Sequence, residues 1–454
     1  MTQNAPLAVG LDIGTTKIVA VVGRLNEHRK IDVLGIGKSK SLGVQRGVVA
    51  NITLTIESIQ AAIKMAEDNS GLKITEVMVG IAGQHIRSMQ HSDYIMRDDA
   101  EAIINVVDLE NLKRNVDNLV MMPGEQILHA LPQEYRVDGD SNIINPQGMY
   151  GSRLEANFHI VVGQIASIKN IARCVEQSDL MVGDITLEPL ASADAVLAEE
   201  EKDAGVVLVD IGGGTTDIAI FKDSIIRHTA VIPFGGKVIT EDIKEGCEII
   251  EKQAELLKVK FGSAWPGENK ENEIVSIPGL RGRPPKEISL KTLSKIINAR
   301  VREIMESVIA EIRNYQQNDP RKRLIAGIVV TGGGSQLKHM SQLVEYLTGM
   351  PTRIGYPNEH LASGYVKELA SPVYATSIGL LSMALENRSA PMAYDPNEIE
   401  VPTPPIEEIL ETEELEVEGA PDQTGSAMAP PRKDPFWKGF VSGIKEWLEN
   451  DDIE

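Results

Sequence analysis

At 454 residues the chain exceeds what one hydrophobic core encloses, and a norm of about 150 residues per domain predicts roughly three folding units. Apolar residues make up 42% of it and aromatics only 4%, which puts the core in Val, Ile, Leu and Ala and the fold in the α/β class. A formal charge of −21 without any basic stripe excludes a general nucleic-acid binder. In chain order, the first clear element is LAVGLDIGTTKIVAVVG (7–23): an apolar run, a glycine-threonine bend and a second apolar run, the pattern of a β-hairpin. Segment 85–164 alternates strand-like runs (EYRV, EANFHIVVG) with a helical stretch near 108–121, and it lies between GIAG and a predicted helix, ASIKNIARCVEQ. A second hairpin, GVVLVDIGGGTTDIAIF (205–221), repeats the acidic turn of the first. Further on, GIVVTGGGSQLKHMSQLVEYL (327–347) predicts a buried strand, a triple glycine and a helix.

Glycines in such turns let a backbone come close, and successive N–H groups form a concavity suited to phosphate. In the first turn the candidates are Asp12, Gly14, Thr15, Thr16 and Lys17; in the second they are Asp210, Gly212, Gly213, Gly214, Thr215 and Thr216. Each aspartate precedes its turn, where it can hold a hydrated Mg²⁺ against phosphates. One such turn alone could equally be a tight hairpin with an exposed Asp. Two copies predict two related halves that grip a triphosphate between them, with Asp12 and Asp210 converging on one metal ion. Gly332, Gly333 and Gly334 add a strand–glycine–helix junction, which serves either nucleotide contact or close packing.

Cys174 and Cys247 have no metal or disulfide spacing, and MTQNAPLAVG lacks the basic start of a signal peptide, so a reducing cytoplasm is expected. Between Pro391 and Pro431 stand eleven acidic residues and no Lys or Arg, leaving a charge of −10 for the rest. That proline-rich stretch is predicted to be a disordered tether. After it, residues 434–450 place Phe436, Trp437, Phe440, Val441, Ile444, Trp447 and Leu448 on one arc of about 140°, an amphipathic helix too short and too charged to cross a bilayer.

LDIGTTK, VDIGGGTTDIAIF and VVTGGGS, in this order, resemble the phosphate-1, phosphate-2 and adenosine motifs of the actin–Hsp70–sugar-kinase superfamily. With LPQEYRVDG, NPQGMYGSRLEANFHIV, SIIRHTAVIPFGGKVITEDI and SPVYATSIGLLSMAL, the resemblance covers nearly the whole chain and narrows to the FtsA family of bacterial cell-division proteins. It implies a duplicated actin-like (ribonuclease-H-like) fold with an interdomain nucleotide cleft: subdomain 1A at 1–84 with 165–199 and 370–390, a relocated subdomain 1C at 85–164, 2A at 200–236 with 298–369, and 2B at 237–297. It implies that Glu188 in ITLEPLASADAVL orients an attacking water, and that Glu255 and Lys258 in AELLKVKFG reach the ribose and adenine; an ordinary i,i+3 ion pair is the other reading of the latter two. ATP and Mg²⁺ are the implied cofactors, with slow hydrolysis at most. The implied partners are copies of the chain in filaments, membrane lipid, later division proteins and the C-terminal peptide of FtsZ, for which LRGRPPK (280–286) offers Arg281, Arg283 and Lys286. The implied place is the cytoplasmic face of the cell membrane at the division site. A small-molecule kinase or a pilus-assembly or cell-shape actin homologue shares the turns, but a kinase has no use for a tethered terminal helix.

Overall fold

The computed structural model describes residues 6–99, 101–268, 272–279, 284–317, 319–364 and 367–387; the tether and the amphipathic segment at 434–450 lie outside them. β1 (Leu7–Ile13) and β2 (Lys17–Leu25) form the first hairpin, with Ile13 opposite Ile18, and β3 (Ile31–Lys40) extends the antiparallel meander. A two-residue ribbon, β4 (Val44–Gln45) and β5 (Val48–Val49), leads to α1 (Ile52–Ser70). The Asn51 side chain caps α1 by accepting from Leu54 N, and Gly71 ends it at φ 69°. β6 (Glu76–Ile81) then pairs parallel with β1.

Here the chain leaves the sheet. β7 (Arg87–Met96), α2 (Val106–Asp117), β8 (Glu125–Val137), β9 (Asp140–Ile143) and β10 (Arg153–Gln164) build a separate four-stranded sheet, order β7-β10-β8-β9. Its core packs Leu112 and Val116 of α2 against Leu154, Ala156, Phe158 and Ile160 of β10. β10 explains its own sequence: the first half alternates buried and open positions, while 158–163 are buried without a break because that half has neighbours on both faces. α3 (Ile165–Glu176) returns to the first sheet, where β11 (Met181–Leu187) pairs parallel with β6 before α4 (Glu188–Val196) and α5 (Glu199–Ala204).

The second half repeats this plan. β12 (Val206–Ile211), β13 (Thr216–Lys222) and β14 (Ile225–Ile232) form an antiparallel meander, followed by α6 (Gly236–Gly246), α7 (Glu251–Phe261), the hairpin β15 (Ile274–Ile277) and β16 (Lys286–Ser289), and the long α8 (Leu290–Gln316). β17 (Gly327–Thr331), α9 (Met340–Thr348), β18 (Thr352–Ile354) and α10 (Ala375–Asn387) complete it. The two sheets run β3-β2-β1-β6-β11 and β14-β13-β12-β17-β18, each with three antiparallel strands followed by two parallel ones. Each repeat of the plan ends in a helix, α4 or α10; α10 lies against β1 and β2 of the first sheet, and the two helices cross so closely that a Cβ on Gly379 would stand 1.8 Å from the Ala191 carbonyl oxygen. Small residues at the crossing bring both helices beneath the two turns.

Candidate nucleotide site

The two acidic turns touch. A Cβ on Gly213 would lie 2.3 Å from Thr16 Cγ2, and one on Gly214 would lie 2.5 Å from Thr15 Oγ1, so each glycine leaves room for a threonine of the opposite half. The Thr15 hydroxyl accepts from Gly47 N at 3.1 Å, while Thr16 is exposed at the tip. Gly212 N bonds the Thr215 carbonyl at 2.9 Å, which closes the second turn. Against it sits the N-terminus of α6: Gly236 N donates to Gly212 O at 2.9 Å and Lys237 N to Gly213 O at 2.8 Å.

Asp12 and Asp210 stand at the ends of β1 and β12, almost wholly buried, and each is held by hydroxyls of the crossing helices α4 and α10. The Ser377 hydroxyl of α10 donates to Asp12 Oδ2 at 3.0 Å. From α4, the Ser192 hydroxyl donates to Asp210 Oδ2 at 2.7 Å, with Thr376 Oγ1 of α10 at 3.3 Å from the same oxygen. Burial raises both carboxyls above the usual range; Lys17 and Ser377 counter this at Asp12, and Ser192 counters it at Asp210.

Two further acids join them. Glu188 opens α4 and runs beside Gly80 of β6, where an added Cβ would be 3.0 Å from Glu188 Cγ. Burial, together with the charges of Asp12, Asp217 and Asp210, pushes its carboxyl well above the ordinary range. Asp217 on β13 accepts from Thr215 Oγ1 at 3.0 Å, its other oxygen has no partner, and burial beside Asp210 raises it to about 8. Among the described residues, Lys17 is the lysine that faces this group. Its ammonium donates to the Val373 carbonyl and lies 5.1 Å from the centre of the Tyr374 ring, and burial lowers its pKa. Four acids around one lysine leave a buried, electron-rich floor that a bound cation would stabilise.

On the far side of the second turn, Lys258 Nζ meets Glu255 Oε2 at 2.7 Å, Gly236 O at 2.8 Å and Thr240 Oγ1 at 2.7 Å. The pair is thus an i,i+3 ion pair and at the same time tied to the glycines that support the turn. Gly332, at φ 78°, could carry no Cβ, which would fall 2.2 Å from Asp210 Oδ1, whereas Gly333 faces open space. The expected strand–glycine–helix junction needs one correction. A short 3₁₀ turn (Gly333–Gln336) follows the strand, and α9 begins only at Met340, after His339 at φ 61°, so these glycines present a 3₁₀ backbone and no α-helix N-terminus.

A cavity of about 410 Å³ opens between the turns, bounded by Thr15, Arg46 and Gln84 on one side and Gly213, Gly235 and Lys237 on the other. Sequence reasoning missed Asp217, although it stands inside the quoted second motif; an acid at an inward position of an otherwise apolar strand was the available signal. It also missed Ser192, Thr376 and Ser377, and it overrated Thr216, whose hydroxyl is fully buried and donates to Phe234 O at 2.8 Å. Arg281 and Arg283 lie outside the described residues; Lys286 opens β16 with its ammonium 3.0 Å from Glu248 Oε2. Among the described residues no three His, Cys, Asp or Glu side chains converge to hold a metal directly, and no helix is long and apolar enough to cross a membrane.

Solved structures share the architecture at low identity. The PilM–PilN type IV pilus biogenesis complex matches with a TM-score of 0.62 at 14% identity, over 83% of this chain and 98% of that one. MreB 5 of Spiroplasma citri bound to AMPPNP matches with a TM-score of 0.51 at 15% identity, over 85% and 98%. The family model "Cell division protein FtsA" matches residues 207–379, and "SHS2 domain inserted in FTSA" matches 83–162, the separate four-stranded sheet. Curated relatives named cell division protein FtsA are 39% identical in Pseudomonas aeruginosa (86% of this chain, 92% of that one) and 37% identical in Neisseria meningitidis (85% and 91%). A third, from Escherichia coli, is 33% identical over 84% and 91%. With both family models in place and a third or more of the residues shared along most of its length, the chain belongs to the FtsA family of actin-like cell-division proteins.

Proposed function

We propose that this chain binds ATP with Mg²⁺ between its paired turns, assembles with copies of itself, and attaches FtsZ to the cytoplasmic face of the cell membrane at the division site, where later division proteins join. The observation that carries the reading is the pair of contacting turns, whose aspartates accept from hydroxyls of the crossing helices α4 and α10. The residues suit the cofactor. Glycine backbone and threonines would cradle phosphate, Asp12 and Asp210 would hold Mg²⁺ through water, and the unpartnered oxygen of Asp217 marks a floor short of positive charge. Bound Mg²⁺ would supply charge neutralisation for the phosphates. Lys17 would stay near the phosphates, Glu188 would orient water for a slow hydrolysis, and Glu255, Lys258 and Gly332–Gly334 would border the nucleoside. The family names and the nucleotide in the MreB 5 structure support this.

Attachment would use the C-terminal amphipathic segment, and FtsZ's terminal peptide would meet the basic loop with Arg281, Arg283 and Lys286. Acidic residues near the segment offset its lysines, so its membrane affinity rests on apolar burial, and filaments that present many copies should make attachment firm. The test is pelleting with lipid vesicles and FtsZ, with and without ATP, for the full chain, Trp447→Glu and a truncation before Asp434. The full chain should pellet with FtsZ in the presence of ATP and both variants should stay in solution. A truncation that pellets as well as the full chain contradicts the membrane role.

A further inference from the structure

The inserted sheet does more than decorate the first half: it also grips the second. β14 is the edge strand of the second sheet, so one row of its backbone groups has no neighbouring strand. Side chains of the insertion fill that row. Ser88 Oγ of β7 donates to Thr229 O at 2.7 Å, and Gln90 Nε2 donates to Arg227 O at 3.1 Å. Residues two apart on β7 thus meet carbonyls two apart on β14, a strand-like ladder made by side chains. Gln133 Nε2 of β8, buried, donates to Ile226 O at 2.6 Å, and Arg227 Nη1 meets Glu134 Oε1 at 2.8 Å.

His159 locks the centre. Gln90 Nε2 is a donor, so His159 Nδ1, 3.2 Å away, accepts; its Nε2–H then donates to Thr229 Oγ1 at 2.9 Å. The other side of the insertion holds the first half: His129 Nε2 accepts from Leu187 N at 3.2 Å, the residue just before Glu188, and Leu128 and Val161 pack into the first core together with Val231 of β14. The two halves also meet at the crossing of α4 and α10, at the touching turns, and where Ile31 of β3 exchanges backbone bonds with His360 and Ala362.

Two halves packed about a helix crossing can hinge there, and an attachment away from that crossing limits the hinge. We propose that the inserted domain is a strap between the two halves that sets how far the nucleotide cleft opens, and so governs nucleotide exchange. Because the ladder consists of side-chain bonds and not of a backbone pairing, it can let go without unfolding either sheet. The exchange part rests on nucleotide binding in the cleft; the opening part does not.

The test uses two opposite changes in the full chain. Ser88→Ala/Gln90→Ala/Gln133→Leu removes three donors to β14, and Glu134→Cys/Arg227→Cys closed with a short bis-maleimide fixes the strap. Release of a fluorescent ATP analogue is followed in stopped flow, and the distance between spin labels at Met65→Cys (α1) and Glu345→Cys (α9), both exposed, is followed by pulsed electron resonance. The loosened chain should release the analogue about tenfold faster, the shift that loss of one to two net hydrogen bonds gives, with a broadened distance distribution. The cross-linked chain should release it more slowly, with a narrow distribution. If both variants keep the wild-type release rate and distribution while only the melting temperature moves, the contacts merely protect an edge and the strap is wrong. If the distributions change as stated but the unmodified chain binds no ATP analogue, the strap stands and the nucleotide reading fails.

Discussion

Gly213 and Thr16 show at the scale of single residues how two distant turns become one site. The glycine is needed for a packing reason: its missing Cβ is the space that Thr16 of the other half occupies. Gly213→Ala should therefore destabilise the chain by about 1–3 kcal/mol through overpacking, and Thr16→Ala should recover a large part of that loss. Chemical unfolding of the two single variants and the double variant checks this; additive effects would mean that the turns do not meet. That the two turns come together was legible in the sequence because the acidic glycine-threonine pattern occurs twice. The hydroxyls of Ser192, Thr376 and Ser377 were not, because LASADAV and ATSIGLL look like ordinary small-residue helix faces, and only the crossing of α4 and α10 turns those hydroxyls towards carboxylates.

Among the elements, the inserted sheet was visible as alternating strands around a helix, since the first half of β10 carries the period-two pattern of a sheet with one face on a core. Its hold on β14 was invisible, because side chains there bond backbone carbonyls that are more than ninety positions away in sequence. This grip has a pH signature. Burial lowers His129 and His159, each to about 4 from 6.5, with Lys113 adding to the shift at His129 and His228 at His159. A base with a depressed folded pKa refuses a proton that the unfolded chain accepts, so its contribution is complete above 6.5 and is lost as pH falls towards 4. Each residue should remove roughly 3 kcal/mol across that window. Unfolding free energies measured between pH 7 and 4 should fall, and His159→Gln should flatten the slope by about one proton; an unchanged slope would show that His159 titrates alike in both states.

For the whole molecule, duplication is the organising fact. Both sheets share one strand plan, α4 and α10 cross beneath them with hydroxyls on Asp210 and Asp12, and the insertion adds a further attachment between the halves. The repeated turns made the duplication legible because the same acidic glycine-threonine bend between apolar runs occurs twice, whereas the parallel strands β6 and β17 carry apolar runs that fit any buried strand. On the reading proposed above, the paired aspartates make a magnesium-dependent nucleotide site. It is tested most directly by equilibrium binding of ATP to the full chain, Asp12→Ala and Asp210→Ala, each with Mg²⁺ and with EDTA. Wild-type affinity should drop at least tenfold when Mg²⁺ is removed, and both variants should bind weakly whether or not Mg²⁺ is present, the loss of an ion-mediated contact of about 1.4 kcal/mol or more. ATP binding of equal strength in Asp210→Ala and wild type, with the same dependence on Mg²⁺, would contradict it.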